Sequence, residues 1–176
     1  MGKLSFVGLI AAVMSLSAFT FVNSTSWKIA DGYSIKFDSK DPTGVFTKMS
    51  GEIEFDEDNL SASRFDVKVD VNSINTGNGM QNKHAKSAKW FDAEQFPTIN
   101  YTSKEFSKTA AGYEVLGVLE LHGVKKDFTM PFTFSDNTFK SSFKVNRTDF
   151  NLGKTKGMSG KVPLELDVEV SVPVTK

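Results

Sequence analysis

Cysteine is absent from the 176 residues of this chain. That excludes disulfides, thiol catalysis, iron–sulfur clusters, Cys-ligated zinc and a lipoprotein beginning on an acylated Cys. Net charge is lacking as well, since 21 Lys plus Arg oppose 21 Asp plus Glu and the pI is near 6.7. Without a basic surplus there is no general attraction to a polyphosphate, and no nucleic-acid partner is expected. Histidine occurs only at His84 and His122, in separate segments and outside any HExxH or similar spacing, so no metal site is expected. Catalytic motifs are missing too. Gly77-Asn78-Gly79 has Asn82 where a dinucleotide fingerprint needs its third glycine, and Gly153-Lys154-Thr155 has Thr148 where a P-loop needs its first. There is no GxSxG elbow, and the sequons Asn100-Tyr101-Thr102 and Asn146-Arg147-Thr148 are of a length that recurs by chance. No catalytic residue and no enzymatic activity are assigned, and no cofactor is called for.

What is present begins with Lys3 and an uncharged run over residues 4–22, rich in Leu, Ile, Val, Ala and Phe. This reads as a secretory signal peptide over residues 1–24, with small residues at Ser24 and Ser26 and Val22 at the minus-three position of Ser24 as cleavage context, followed by a barrel domain over 25–176. An uncleaved membrane anchor is the competing reading, because the run approaches the length of a short transmembrane helix. No linker, repeat or low-complexity tract divides the remainder, which reads as one unit.

Beyond Trp27 the dominant signal is period-two alternation. Val162, Leu164, Leu166, Val168, Val170 and Val172 interleave with Lys161, Glu165, Asp167, Glu169 and Ser171, giving a strand with one dry and one wet face. The pattern recurs around Ile35, Ile53, Val67, Ile99, Val115, Phe132 and Phe143, for eight strands in all. Short turn-rich gaps, such as His122-Gly123 and Asp136-Asn137, predict antiparallel pairing. In the one long gap, Met80, His84, Ser87 and Phe91 fall at helical spacing and predict a single short helix with that face packed. Eight such strands close into a barrel or stack as a sandwich. Closure removes exposed edges and favours an all-β, lipocalin-like antiparallel barrel, either filled by side chains or holding one small ligand.

Three features bear on that choice. Of 16 Phe, only Phe6, Phe19 and Phe21 lie in the leader, and many of the others fall on the inward parity. They either fill the barrel or, with Gly51 and Gly117, leave an elongated apolar cavity. The parity-derived cavity set is Phe37, Phe46, Ile53, Phe55, Val67, Val69, Tyr101, Leu119, Phe132, Phe143 and Leu166. Arg147 continues the inward parity of Phe143 and Val145. It emerges into solvent, forms an ion pair with Asp149 or another carboxylate, or presents its planar fork to a polar headgroup. His84 and Ser87, on the predicted helix face, are the other headgroup candidates. Lys83, Lys86 and Lys89 form either an exposed side or a surface for transient membrane contact.

The ordered motifs then resemble a known family. They are Gly44-x-Phe46, Ser50-Gly51-x-Ile53-x-Phe55-Asp56, Val71-x-Ser73-Ile74-x-Thr76-Gly77, His84-x-x-Ser87 with Trp90-Phe91-Asp92, Phe96-Pro97-x-Ile99-x-Tyr101-x-Ser103, Gly117-x-Leu119-x-Leu121-His122-Gly123-Val124 and Phe143-x-Val145-x-Arg147-x-Asp149-Phe150. Together they resemble the YceI-like family of exported polyisoprenoid-binding proteins, over about residues 31–170. The resemblance implies an eight-stranded barrel in the bacterial periplasm, or secreted, holding a long isoprenoid, quinone-like, fatty-acyl or other amphipathic lipid for carriage or sequestration. It implies no reaction, and a homodimer is a further option. The family's helix usually reads Arg-Asp-x-His-Leu, where this chain has Gln81, Asn82, Lys83, His84 and Ala85. Two alternatives stay open: a filled barrel acting as a protein-interaction or stress-response module, and an enzyme on lipid-like substrates, which requires Arg147, Asp149, His84 and His122 to converge.

Overall fold

Among the described residues, strand propensity and alternation translate into eleven strands and one α-helix. A computed structural model describes residues 25–153 and 157–176. The expected signal peptide, residues 1–24, lies outside the described residues, as does Lys154-Thr155 of the P-loop-like fragment. The strands are β1 (Ser26–Ile29), β2 (Ser34–Asp38), β3 (Thr43–Phe46), β4 (Met49–Glu54), β5 (Arg64–Asp70), β6 (Ile74–Asn75), β7 (Thr98–Thr109), β8 (Gly112–Leu121), β9 (Val124–Ser135), β10 (Thr138–Asn146) and β11 (Glu165–Thr175). The helix, α1, spans Gly79–Lys86. Among the described residues no helix is long and apolar enough to cross a membrane.

Every pairing is antiparallel, and the ring β1-β4-β5-β7-β8-β9-β10-β11 closes on itself through Lys28↔Thr175 and Ile29↔Val174. This is the expected closed barrel of eight strands. The free edge of β11 is divided along its length, with β1 taking one end and β2 taking residues 167–171. Beyond β2, strands β3 and β6 prolong the wall. Sequence-adjacent pieces therefore act as long strands broken at bends, at Asp31-Gly32 between β1 and β2, at Thr47-Lys48 between β3 and β4, and at the 3-10 turn Val71–Ser73 between β5 and β6. The last is fixed locally, because Asp70 accepts from the Asn72 amide and the Ser73 hydroxyl accepts from the Thr47 and Lys48 amides.

Three sequence expectations need correction. The strand expected from Val162 starts at Glu165, and Leu164 is exposed. Its predecessors Val162 and Pro163 offer carbonyls to Arg147 in place of a ladder. Strand β7 extends far past Tyr101 because a bulge between Ser103 and Glu105 shifts the inward parity onto Phe106. The helix ends at Lys86, where extended Ser87 caps it by donating to the His84 carbonyl. Its expected packed face is not buried: Met80 is 64% exposed, and contact with the barrel is made through Ala85 and the following turn at Phe91.

Candidate functional site

The two ends of the barrel are built differently. At one end Phe55, 1% exposed, meets the rings of Phe65, Phe106, Tyr113, Phe132, Phe134 and Phe139 at centroid distances of 5.2–6.4 Å. Most of these contacts are edge-to-face, the arrangement that ring quadrupoles favour. Trp27 closes this plug and donates its indole N–H to the Phe55 carbonyl at 3.0 Å.

Towards the other end the inward side chains do not fill the barrel, and they leave a cavity of about 250 Å³ whose surface is almost wholly apolar. Ile53, Phe65, Phe132 and Phe139 of the plug form its floor. Of the parity-derived set, Phe37, Phe46, Ile53, Val67, Val69, Tyr101, Leu119, Phe132, Phe143 and Leu166 all line it. Phe55 does not. It lies wholly inside the plug, because strand parity gives the side of the wall and not the height along the axis. Further lining residues on the same strands, including Ile35, Phe128, Met130 and Val168, carry the same alternation. Trp90, Phe91 and Leu152 come from irregular connections, where no parity signals them.

Gly117 and Gly51 do not create this space. The position of a Gly117 Cβ is filled by Tyr101, whose ring carbon Cζ stands 2.6 Å away, and that of Gly51 is met by the Asp66 carbonyl of the neighbouring strand. Gly117 thus lets Tyr101 cross the wall and donate its hydroxyl to the Val115 carbonyl at 2.8 Å, with the Phe128 carbonyl at 3.2 Å. Gly117→Ala should cost about 1–3 kcal/mol by overpacking, read as a lowered urea midpoint, and Tyr101→Phe should not restore it, because the ring Cζ and the Thr102 carbonyl, each 2.6 Å from the Cβ position, remain.

Burial holds the Tyr101 phenol well above its ordinary range, and a hydrogen bond to the Glu57 carboxylate, aided by burial, pushes Tyr113 up to about 12. Both phenols keep protons that the unfolded chain releases near pH ~10. The stability they confer is therefore complete below that pH and falls as pH climbs through the raised values. Urea midpoints compared at about pH 9 and about pH 11.5 should show the loss, and Tyr101→Phe with Tyr113→Phe should diminish it.

Arg147 occupies the far end of the chamber, and none of the sequence readings describes it. It is 0% exposed, so it does not emerge into solvent. Asp149 pairs instead with Lys126 at 3.2 Å. The guanidinium donates through Nε to Pro163 O at 3.0 Å, through Nη1 to Leu152 O at 2.8 Å and through Nη2 to Val162 O at 3.0 Å, and lies 5.4 Å from the centre of the Trp90 ring. Its burial lowers the guanidinium pKa from its ordinary value. The fork ties the Leu152 part of the β10–β11 connection to its Val162 and Pro163 part and, over Trp90, to the connection between α1 and β7, forming a cap over the cavity. The 3-10 turn Arg147–Phe150 that positions it is capped by Asn146, which accepts from Thr148.

His84 and Ser87 are exposed on and beside α1 and do not line the cavity. His122 shares a hydrogen bond with the Phe150 carbonyl and packs against Phe96. Of the four residues an enzyme reading names, Asp149 pairs with Lys126, His122 with the Phe150 carbonyl and Arg147 with backbone carbonyls, while His84 is exposed on α1. Among the described residues there is no group of three His, Asp or Glu able to hold a metal.

A closed eight-stranded antiparallel barrel, plugged at one end and enclosing a dry apolar chamber, defines the class of lipocalin-like binding barrels. This chain belongs to the YceI-like family, whose domain matches residues 18–171. It is 32% identical to a UPF0312 protein of Yersinia enterocolitica over 137 residues, 72% of this chain and 71% of that protein. It is 30% identical to Protein YceI of Salmonella arizonae over 72% of each. Among solved structures, Burkholderia cenocepacia BcnA superposes with a TM-score of 0.72 at 25% identity, over 86% of this chain and 96% of that one. A Saccharophagus degradans domain described as polyisoprenoid-binding, and as implicated in plant cell wall breakdown, shares the fold with a TM-score of 0.55 at 18% identity, over 84% and 91%.

Proposed function

We propose that this protein is an exported, non-catalytic carrier or sequestering protein that holds the tail of a polyisoprenoid or similar amphipathic lipid inside its barrel. The apolar chamber of about 250 Å³ carries the reading. It exceeds the ~150 Å³ void that admits a benzene and falls short of the roughly 300–1,000 Å³ of drug-sized sites. A slender chain suits it better than a rigid ring system. Each methylene transferred from water contributes about 0.8 kcal/mol, so affinity comes from burial and needs few polar contacts. The description of the Saccharophagus neighbour supports the choice of ligand class, and the uncharged leader after Lys3 supports export. No cofactor enters this reading, and the ligand itself is the hydrophobic partner.

Trp90 borders the chamber and supplies the test. Titrating the domain with geranylgeraniol should change Trp90 fluorescence saturably, at one molecule per chain, and Trp90→Phe should remove the signal but keep the binding seen by calorimetry. A wild-type protein that shows no saturable heat or fluorescence change would refute the reading.

A further inference from the structure

The barrel wall is not hydrogen-bonded all the way round. Strands β9 and β10 pair only at Thr138↔Ser135, Phe139↔Phe134 and Lys140↔Thr133, although both run well beyond these residues. Sequence explains the stop. The Pro131 carbonyl faces β10, where it accepts from the Ser141 hydroxyl. In a strand the N–H and C=O of a residue point to the same side, so the missing Pro131 N–H is missing at this seam. Below it the strands part, and the gap is spanned by side chains such as Phe128 and Phe143, with ring centroids 5.2 Å apart.

Outside this seam lies a second hollow of about 500 Å³. Lys36, Phe132, Lys140, Ser141 and Val170 border both it and the apolar chamber. The polar residues at this junction are thus two lysines and a hydroxyl, whereas Glu114 and Glu169 border the outer hollow alone. Lys36 and Lys140 are exposed and make no ion pair among the described residues.

We propose that the seam between β9 and β10 is the site of the ligand's headgroup: an acidic, phosphate-type head rests outside the wall on Lys36, Lys140 and Ser141 while its tail enters the chamber past Phe132 and Ser141, which border both hollows. This rests on the lipid reading above and adds the class and place of the head. Lysine ammonium groups and a hydroxyl donor suit phosphate oxygens.

The test compares farnesyl monophosphate with farnesol, titrated into the wild type, Lys36→Glu/Lys140→Glu and the milder Lys36→Gln/Lys140→Gln. The reversal should weaken farnesyl monophosphate about tenfold or more and leave farnesol unchanged, with the glutamine pair in between. A nitroxide on Ser142→Cys, beside the seam, should broaden the phosphorus resonance of bound farnesyl monophosphate. Inorganic phosphate at the same concentration should not displace it. Equal losses for both ligands, no loss for either, or an unbroadened resonance would overturn the headgroup site and leave the lipid reading standing. Inorganic phosphate binding as tightly as farnesyl monophosphate would make this a free-anion site and overturn the proposal. A wild type that binds neither prenyl compound would overturn the lipid reading and this site with it.

Discussion

Replacing Arg147 by methionine is expected to destabilise the domain by about 3–5 kcal/mol, the cost of breaking a buried, hydrogen-bonded charged group. Methionine fills much of the space, so the loss comes chiefly from the carbonyls of Leu152, Val162 and Pro163, which lose their donors. Each buried acceptor left without a donor costs about 1–3 kcal/mol. Arg147→Lys should recover only part of the loss, because a single ammonium cannot reproduce the planar fork across three carbonyls. Urea unfolding followed by circular dichroism measures both variants. A headgroup role would instead leave stability nearly unchanged and lower lipid affinity. That outcome, with a stability change under about 1 kcal/mol, would contradict the cap described here.

The second large effect concerns the chamber itself. Val69→Phe with Val168→Phe places two rings in a void bordered by both residues. In a close-packed core such small-to-large changes cost about 1–3 kcal/mol each. Here they are expected to cost under about 1 kcal/mol together, because the added atoms enter empty space and gain contacts. Prenyl-alcohol affinity should fall by about tenfold or more as the buried methylenes lose their place. Val115→Phe is the control, since Val115 is 0% exposed in the plug and has no adjoining space. It should show the ordinary overpacking penalty and leave lipid affinity largely intact. Calorimetric titration and urea midpoints on the same preparations separate the two effects. Large destabilisation by the double substitution would mean that the chamber is already filled.

Much of this architecture was legible from alternation alone, since a strand with one buried face must be apolar at every second residue. Val67 and Val69, or Val168 and Val170, reveal their side of the wall without reference to anything distant. Height along the axis is a property of the assembled barrel, and Phe55 consequently falls in the plug and not in the chamber. The bulge at Ser103 and Glu105 hid most of β7, because one extra residue inverts the parity of everything beyond it. Arg147 was legible as an inward residue, but its partners are backbone carbonyls, which leave no mark in a side-chain pattern. The glycines misled for a related reason: a missing Cβ can leave room for a ligand or for a neighbour, and at Gly117 the neighbour is Tyr101. Ser87 terminates α1 instead of facing the chamber because its hydroxyl finds a local carbonyl, a competition that period-based readings do not capture.

The central claim is that the chamber carries a lipid tail. Native mass spectrometry of the protein, expressed from its full 176-residue sequence in a Gram-negative host, isolated from the exported fraction and extracted with organic solvent for lipid identification, tests it most directly. The account predicts an adduct of one lipid per chain, released as a prenyl-chain compound on extraction. An apo mass that persists after incubation with prenyl alcohols, quinones and fatty-acyl lipids would contradict it.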